Sequence, residues 1–210
     1  MSDALSRREF LAAAAALALV ARSPFAHIPD PAMDRLERLT ALFRRRWACP
    51  VMAELHRAEG AKFVTLVNRL ESNPGAVRQT LDMLIEMDWV RPNPGYGHPM
   101  RPEYILTRRG QRLAPGCAAL DDGIRALGVA RTALRRWSMP VLYVVGDSPR
   151  RFNEIARALG GVTDRALALT LRDMDAASLV ARRIIDARPL TSAYAATPEA
   201  GPLLPALDRL

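Results

Sequence analysis

One stretch of this chain is written twice, and that repeat limits the fold more than any other feature. Arg45-Arg46-Trp47-Ala48-Cys49-Pro50-Val51-Met52 returns as Arg135-Arg136-Trp137-Ser138-Met139-Pro140-Val141-Leu142, an offset of 90 residues. The offset holds to the end of the unit, where Tyr104 and Thr107 answer Tyr194 and Thr197. In between, Lys62-Phe63 answers Arg151-Phe152 and Leu70 answers Leu159 with one residue of slippage, recovered at Leu81 and Leu171. A repeat long enough to hold several elements predicts two copies of one small domain. With 210 residues, half of them hydrophobic, the chain could bury one medium core or two small ones. The repeat decides for two.

Within the first copy, Val51, Met52 and Leu55 fall on one helical face, with Glu54, Arg57 and Glu59 elsewhere around the turn, and Gly60 stops that helix. Phe63, Leu66, Val67 and Leu70 keep the helical period in a second segment. Ser72-Asn73-Pro74 signals a third start, a capping side chain followed by a proline preset for the first turn. Val77, Leu81, Leu84 and Ile85 are its apolar stripe. Trp89-Val90-Arg91 reads as a short strand, then a tip rich in proline and glycine, then Glu103–Thr107 as the return strand. Three short helices and a β-hairpin outline a winged helix-turn-helix.

The Arg-Arg-Trp before an apolar helix, Lys62-Phe63 opening the second helix, and the hairpin close Pro99-Met100-Arg101-Pro102-Glu103-Tyr104-Ile105-Leu106-Thr107-Arg108-Arg109-Gly110 resemble the HxlR-type winged-helix transcriptional regulators. The resemblance covers most of residues 34–115 and, more loosely, 131–205. Family members usually carry one such domain per chain; with the repeat, the resemblance implies an α+β, mainly α fold of two tandem winged helix-turn-helix domains joined by a helical linker. The expected division is a leader or alanine-rich helix over 1–33, domain 1 over 34–115, the linker over 116–134 and domain 2 over 135–210.

A formal net charge of +8 and a pI near 10.6 suit a polyanionic partner such as double-stranded DNA. Lys62 is the single lysine, and each copy carries 10 basic and 7 acidic side chains, so charge does not distinguish the copies. Cys49 and Cys117 have no paired spacing and read as reduced thiols, with Cys49 a buried helix thiol in preference to a sensing one. His27, His56 and His98 are scattered, and His56 with Glu59 lacks further ligands, so no metal or other cofactor is expected. Neither a phosphate-cradling glycine loop nor a nucleophile elbow is present, and an enzyme is not expected.

A recognition helix turns the residues opposite its core stripe into the major groove. With Val77 and Leu81 inside, the outer face of copy one carries Gly75, Arg78, Gln79 and Asp82. Arginine can grip guanine O6 and N7, and glutamine adenine N6 and N7, each with two hydrogen bonds. Asp82 could accept from cytosine or orient Arg78. Lys62, Asn68, Arg69, Ser72 and Asn73 are candidates for the DNA backbone, and Tyr96, His98 and Arg101 on the wing for the minor groove or a phosphate. In copy two, Leu167 and Leu171 take the core positions, so Arg165, Ala168, Leu169 and Arg172 face outward. Leu169 replaces Gln79 and can offer only an apolar contact to a thymine methyl. Arg151, Arg157, Arg182, Arg183 and Arg188 can hold phosphates.

Around the copies, Leu36, Leu39, Leu42 and Phe43 make an amphipathic helix leading into the first. The segment 111–135 is expected to be mostly helical, interrupted at Pro115-Gly116, with Leu120, Ile124, Leu127 and Val129 packing between the copies or against a second chain. Residues 202–210 read as a short terminal helix or tail. At the front, Arg7-Arg8 followed by Ala12–Ala21 matches a twin-arginine export signal without a clean cleavage triplet, and the apolar run is too short to span a bilayer. The alternatives are a start at Met33 or an alanine-rich helix against the fold. The expectation is a cytoplasmic DNA-binding regulator whose copies form a pseudo-dimer, with further homodimerisation open. A winged-helix interaction protein that has lost DNA binding, or an exported protein, are the competing readings.

Overall fold

Asp34 accepts the Arg35 N–H on its carboxylate and starts α1 (Arg35–Leu42), whose Leu39 and Leu42 are buried together with Phe43. The structure is a computed structural model and describes residues 34–95, 102–146, 148–185 and 191–210. The expected leader, with Arg7, Arg8 and Met33, and the wing-tip residues Tyr96, His98 and Arg101 lie outside the described residues, as does Arg188.

A first series of elements follows: α2 (Ala48–Arg57), α3 (Phe63–Arg69), α4 (Pro74–Glu86), then the antiparallel pair β1 (Val90–Pro92) and β2 (Tyr104–Leu106), with Val90 opposite Leu106. Gly60 closes α2 at φ +123, its N–H reaching back to the Leu55 carbonyl at 3.0 Å. A Cβ there would also sit 2.9 Å from the Tyr104 carbonyl, so the position needs glycine both for its backbone and for the strand beside it. After α5 (Arg108–Ala126) and α6 (Ala130–Ala133) the order recurs: α7 (Ser138–Val145), β3 (Arg150–Arg151), α8 (Phe152–Leu159), α9 (Asp164–Ala176), β4 (Val180–Ile185) and β5 (Thr191–Ala196). The second sheet has three strands in the order β3-β5-β4. In the first series the β3 position shrinks to one bridge, Ala61 to Tyr104, where the second pairs Arg150 with Tyr194.

Individual hydrogen bonds recur as well. Asn73 and Thr163 cap α4 and α9 by accepting the N–H of Ala76 and Ala166. Thr80 and Thr170 donate to the carbonyls of Ala76 and Ala166 at 2.7 and 2.8 Å. Thr107 accepts from Gly110 N–H and donates to the Asp88 carbonyl; Thr197 accepts from Ala200 N–H and donates to the Ser178 carbonyl.

One expectation is corrected between the two series. α5 runs unbroken through Pro115-Gly116 and through the expected boundary at 115/116. Pro115 is on the exposed side, as is Gln111, whose carbonyl would take the N–H that proline lacks. Gly116 is on the buried side, where a Cβ would stand 2.9 Å from Leu210 Cδ2. An interior proline costs about 3 kcal/mol, and burying Leu120 and Ile124 returns about 1.5–3 kcal/mol each, so packing wins.

The residues flanking each series pack across to the other. α1 lies against α7, and α10 (Leu204–Asp208), entered through a 3-10 turn over Pro198–Leu203, lies against both α5 and α7. Arg38 Nε donates to the Leu210 carbonyl at 2.6 Å. The buried side chains from Leu39 to Leu210 form one connected core, not the two small cores that the repeat predicts, because the flanking helices bury apolar faces from both series.

Candidate nucleic-acid interface

The sequence stripe places α4 correctly. Val77, Leu81 and Leu84 are buried, while Gly75, Arg78, Gln79 and Asp82 are exposed. On α9, Leu167 and Leu171 are buried, and Arg165, Ala168, Leu169 and Arg172 are exposed. Leu169 is 40% exposed, a large apolar side chain left on a helix surface.

The two outer faces are arranged differently. The Arg78 guanidinium lies 4.4 Å from the centre of the Phe63 ring, so its partner is that ring. Beside it, burial first and the Glu103 carboxylate second hold the Tyr104 hydroxyl above its ordinary range. Arg45 Nη1 donates to Gln79 Oε1 at 2.9 Å. In the second series Ala168 stands where Arg78 does, and an open groove is lined by Phe152, Tyr194, Arg151, Arg157 and Arg182. Arg182 Nε donates there to Ser192 Oγ at 2.9 Å. Arg135, the counterpart of Arg45, forms an ion pair with Asp173 on α9.

Of the other expected backbone contacts, Asn68, Asn73, Arg151, Arg157 and Arg183 are exposed, and Lys62 and Ser72 are half-buried. Arg69 is the exception. It turns back to Glu54, with Nη1 to Oε2 at 3.1 Å.

That contact belongs to a cluster the sequence reading missed. Glu54 on α2 is 8% exposed and Asp121 on α5 is 3% exposed. Arg57 bridges them at 3.0 Å to each and reaches Asp122 at 2.6 Å, and Arg125 Nε donates to Asp121 at 2.9 Å. Burial works against the Arg57 charge, but the Asp121 hydrogen bond and the three surrounding carboxylates outweigh it, and its guanidinium is held above the usual value. The spacings Glu54-x-x-Arg57 and Asp121-x-x-x-Arg125 were the only signal, and neither says that two helices meet there. Next to the cluster, Cys49 Sγ donates to the Cys117 carbonyl at 3.6 Å, and both cysteines are buried. No group of three metal-ligating side chains occurs among the described residues, and no described helix is long and apolar enough to cross a membrane.

Residues 134–210, the second series, match the HxlR-like helix-turn-helix family. An HTH-type transcriptional regulator of Halalkalibacterium halodurans is 36% identical over 76 residues, which cover 36% of this chain and 67% of that one. The HTH-type transcriptional regulator YkvN of Bacillus subtilis is 32% identical over 75 residues, covering 36% of this chain and 64% of YkvN. The chain thus spans about two thirds of the length of these relatives. A solved MarR-family transcriptional regulator from Porphyromonas gingivalis W83 aligns with 40% of this chain and 81% of its own at 19% identity and a TM-score of 0.37. The family match falls on the stretch where the sequence resemblance is the looser. Within that stretch, Glu154 accepts the Arg151 N–H at 2.8 Å and closes the start of α8.

Proposed function

The chain belongs to the HxlR-like helix-turn-helix family, and from that membership we propose that it is a DNA-binding transcriptional regulator whose two helical series act as a fused pair of winged-helix domains. It is a regulator-type protein and not an enzyme. The carrying observation is that α4 and α9, at equivalent places in the two series, each bury an apolar stripe and turn the opposite side, with Arg78 and Gln79 on one and Arg165 and Arg172 on the other, to solvent. Arginines 151, 157, 182 and 183 beside α9 supply phosphate contacts, which position a protein on duplex without reading it. The packing of α1 on α7 and of α10 on α5 supports the fused pair, because each flanking helix is buried by the other series. Such a protein works where the chromosome is, so we place it in the cytoplasm.

The outer faces are unlike, with Arg78 and Gln79 on one and Arg165 and Leu169 on the other, so a single chain prefers an asymmetric site. A symmetric pair would read a palindrome. The test is an electrophoretic shift on random duplex across salt, followed by selection. Affinity should fall steeply as salt rises, because each neutralised phosphate releases a counterion. Gln79→Ala should cost about 1–3 kcal/mol at one base pair, and Leu169→Ala less. No shift at low salt would favour an interaction protein. A motif that follows Leu169 and ignores Gln79 would make the second series the reader.

A further inference from the structure

We propose that Arg45 is a positioning residue that sets which base Gln79 reads, turning a side chain able to take adenine into one that selects guanine. The proposal rests on α4 being a DNA-reading helix, as argued above.

A guanidinium has donors only, so the atom of Gln79 it meets at 2.9 Å must be the amide oxygen. That contact fixes the sense of an amide which would otherwise be free to present either edge. Adenine in the major groove offers N7 as acceptor and N6 as donor, so its two-bond pair with glutamine needs the amide oxygen as well as the nitrogen. Here the oxygen already faces Arg45. Its second lone pair lies beside a full positive charge, which disfavours the approach of a donor amino group. The amide Nε2, with no acceptor among the described residues, and the remaining Arg45 donors form an edge of donors alone. Guanine, with acceptors at both O6 and N7, complements that edge.

The surroundings favour the same outcome. Arg44 and Arg136, the latter from the second series, line the groove in which Arg45 meets Gln79, together with Asp82 and Glu86. In the second series, the equivalent Arg135 is neutralised by the Asp173 carboxylate, and Leu169 stands where Gln79 does. The arginine of the repeated Arg-Arg-Trp reaches the third helix in both series, but only in the first does its partner lack a charge.

The test uses the full chain and selection from random duplex. Gln79→Ala first identifies the base pair that residue 79 reads. The wild type should take guanine there, and Arg45→Ala should lower the guanine-to-adenine ratio at that pair roughly tenfold. Arg45→Lys, which keeps a donor-only cation, should retain most of the ratio. In a Gln79→Ala background Arg45→Ala should leave base preference unchanged, although it still weakens binding to every sequence evenly. Adenine at that pair in the wild type, or a ratio indifferent to Arg45→Ala, overturns the proposal. If Gln79→Ala alters no pair while binding stays salt-dependent, the proposal also fails and the DNA-binding reading stands. Absence of binding at every salt concentration defeats both.

Discussion

The two series share a scaffold and differ in what is built on it. Thr107 and Thr197, Thr80 and Thr170, and the capping pair Asn73 and Thr163 make the same local bonds 90 residues apart. These bonds satisfy helix ends and strand exits that the fold cannot leave open, so they persist where other contacts drift. The drift is visible one step away from the backbone. Glu103, on the hairpin, accepts the Phe63 N–H at 3.2 Å and closes α3 from a distance; in the second series Glu154 closes α8 from within the same helix. Glu54 is buried among arginines, whereas its counterpart is Val144. The second series therefore has an ordinary apolar first helix, and the first has a charged one.

That contrast gives the largest expected effect. Asp121→Ala leaves Arg57 and Arg125 facing Glu54 across a gap that was filled by a carboxylate 3% exposed. Removing one partner of a buried ionic cluster costs about 3–5 kcal/mol, and the low end applies because both guanidinium groups still reach solvent. Val144→Ala, at the matching helix of the second series, should cost about 1 kcal/mol, the loss of a few partly buried methyl contacts. Urea unfolding of the two variants measures the difference. If they lose the same stability, the ionic cluster is ornament and the two first helices are energetically alike.

A smaller effect should be equal in both series. Thr107→Ala and Thr197→Ala each remove one cap acceptor and one donor to a strand-entry carbonyl, and each should cost about 1–2 kcal/mol in thermal or urea unfolding. Unequal losses would mean that the common scaffold is common in geometry only.

Much of this was legible from local pattern. The start at Asn73-Pro74, the stripe Val77, Leu81 and Leu84, and the hairpin strands follow rules that act within a few residues. The outward faces of α4 and α9 followed because each stripe leaves a single opposite side. What was not legible depends on chain that arrives from far away. Glu54 sits off the apolar face of α2 by period, yet α5 covers it, bringing Asp121 from 67 residues along the chain. Pro115-Gly116 reads as a break, and the packing that carries the helix through it, Leu120 and Ile124 in the core and Leu210 beneath Gly116, is set by distant chain. Arg45 and Gln79 are 34 residues apart, and no spacing rule joins them.

The smallest effect appears only in alkali, and only in the first series. Its Cys49 and Cys117 occupy positions taken by Met139 and Leu207 in the second, which cannot titrate. A hydrogen bond with Cys117 is the main reason the Cys49 thiol is held well above its ordinary range. Burial and the nearby Cys117 and Asp121 act in the same direction, with Arg57 opposing. Since the folded value lies above the unfolded one, the unfolded chain loses its proton first as pH rises. The stability tied to the neutral thiol is therefore fully present below about pH 8.5, the unfolded thiol value, and declines above it toward the raised folded value. Urea midpoints taken from pH 7 to pH 9.5 should fall more steeply in the wild type than in Cys49→Ala, with the two parallel below pH 8. The upper limit stays below the range in which an ordinary tyrosine of an unfolded chain ionises, near pH 10. Equal slopes across the whole range would show that Cys49 reaches solvent in the native protein, and that the contact between α2 and α5 is looser than the packing of α7 on α10 in the second series.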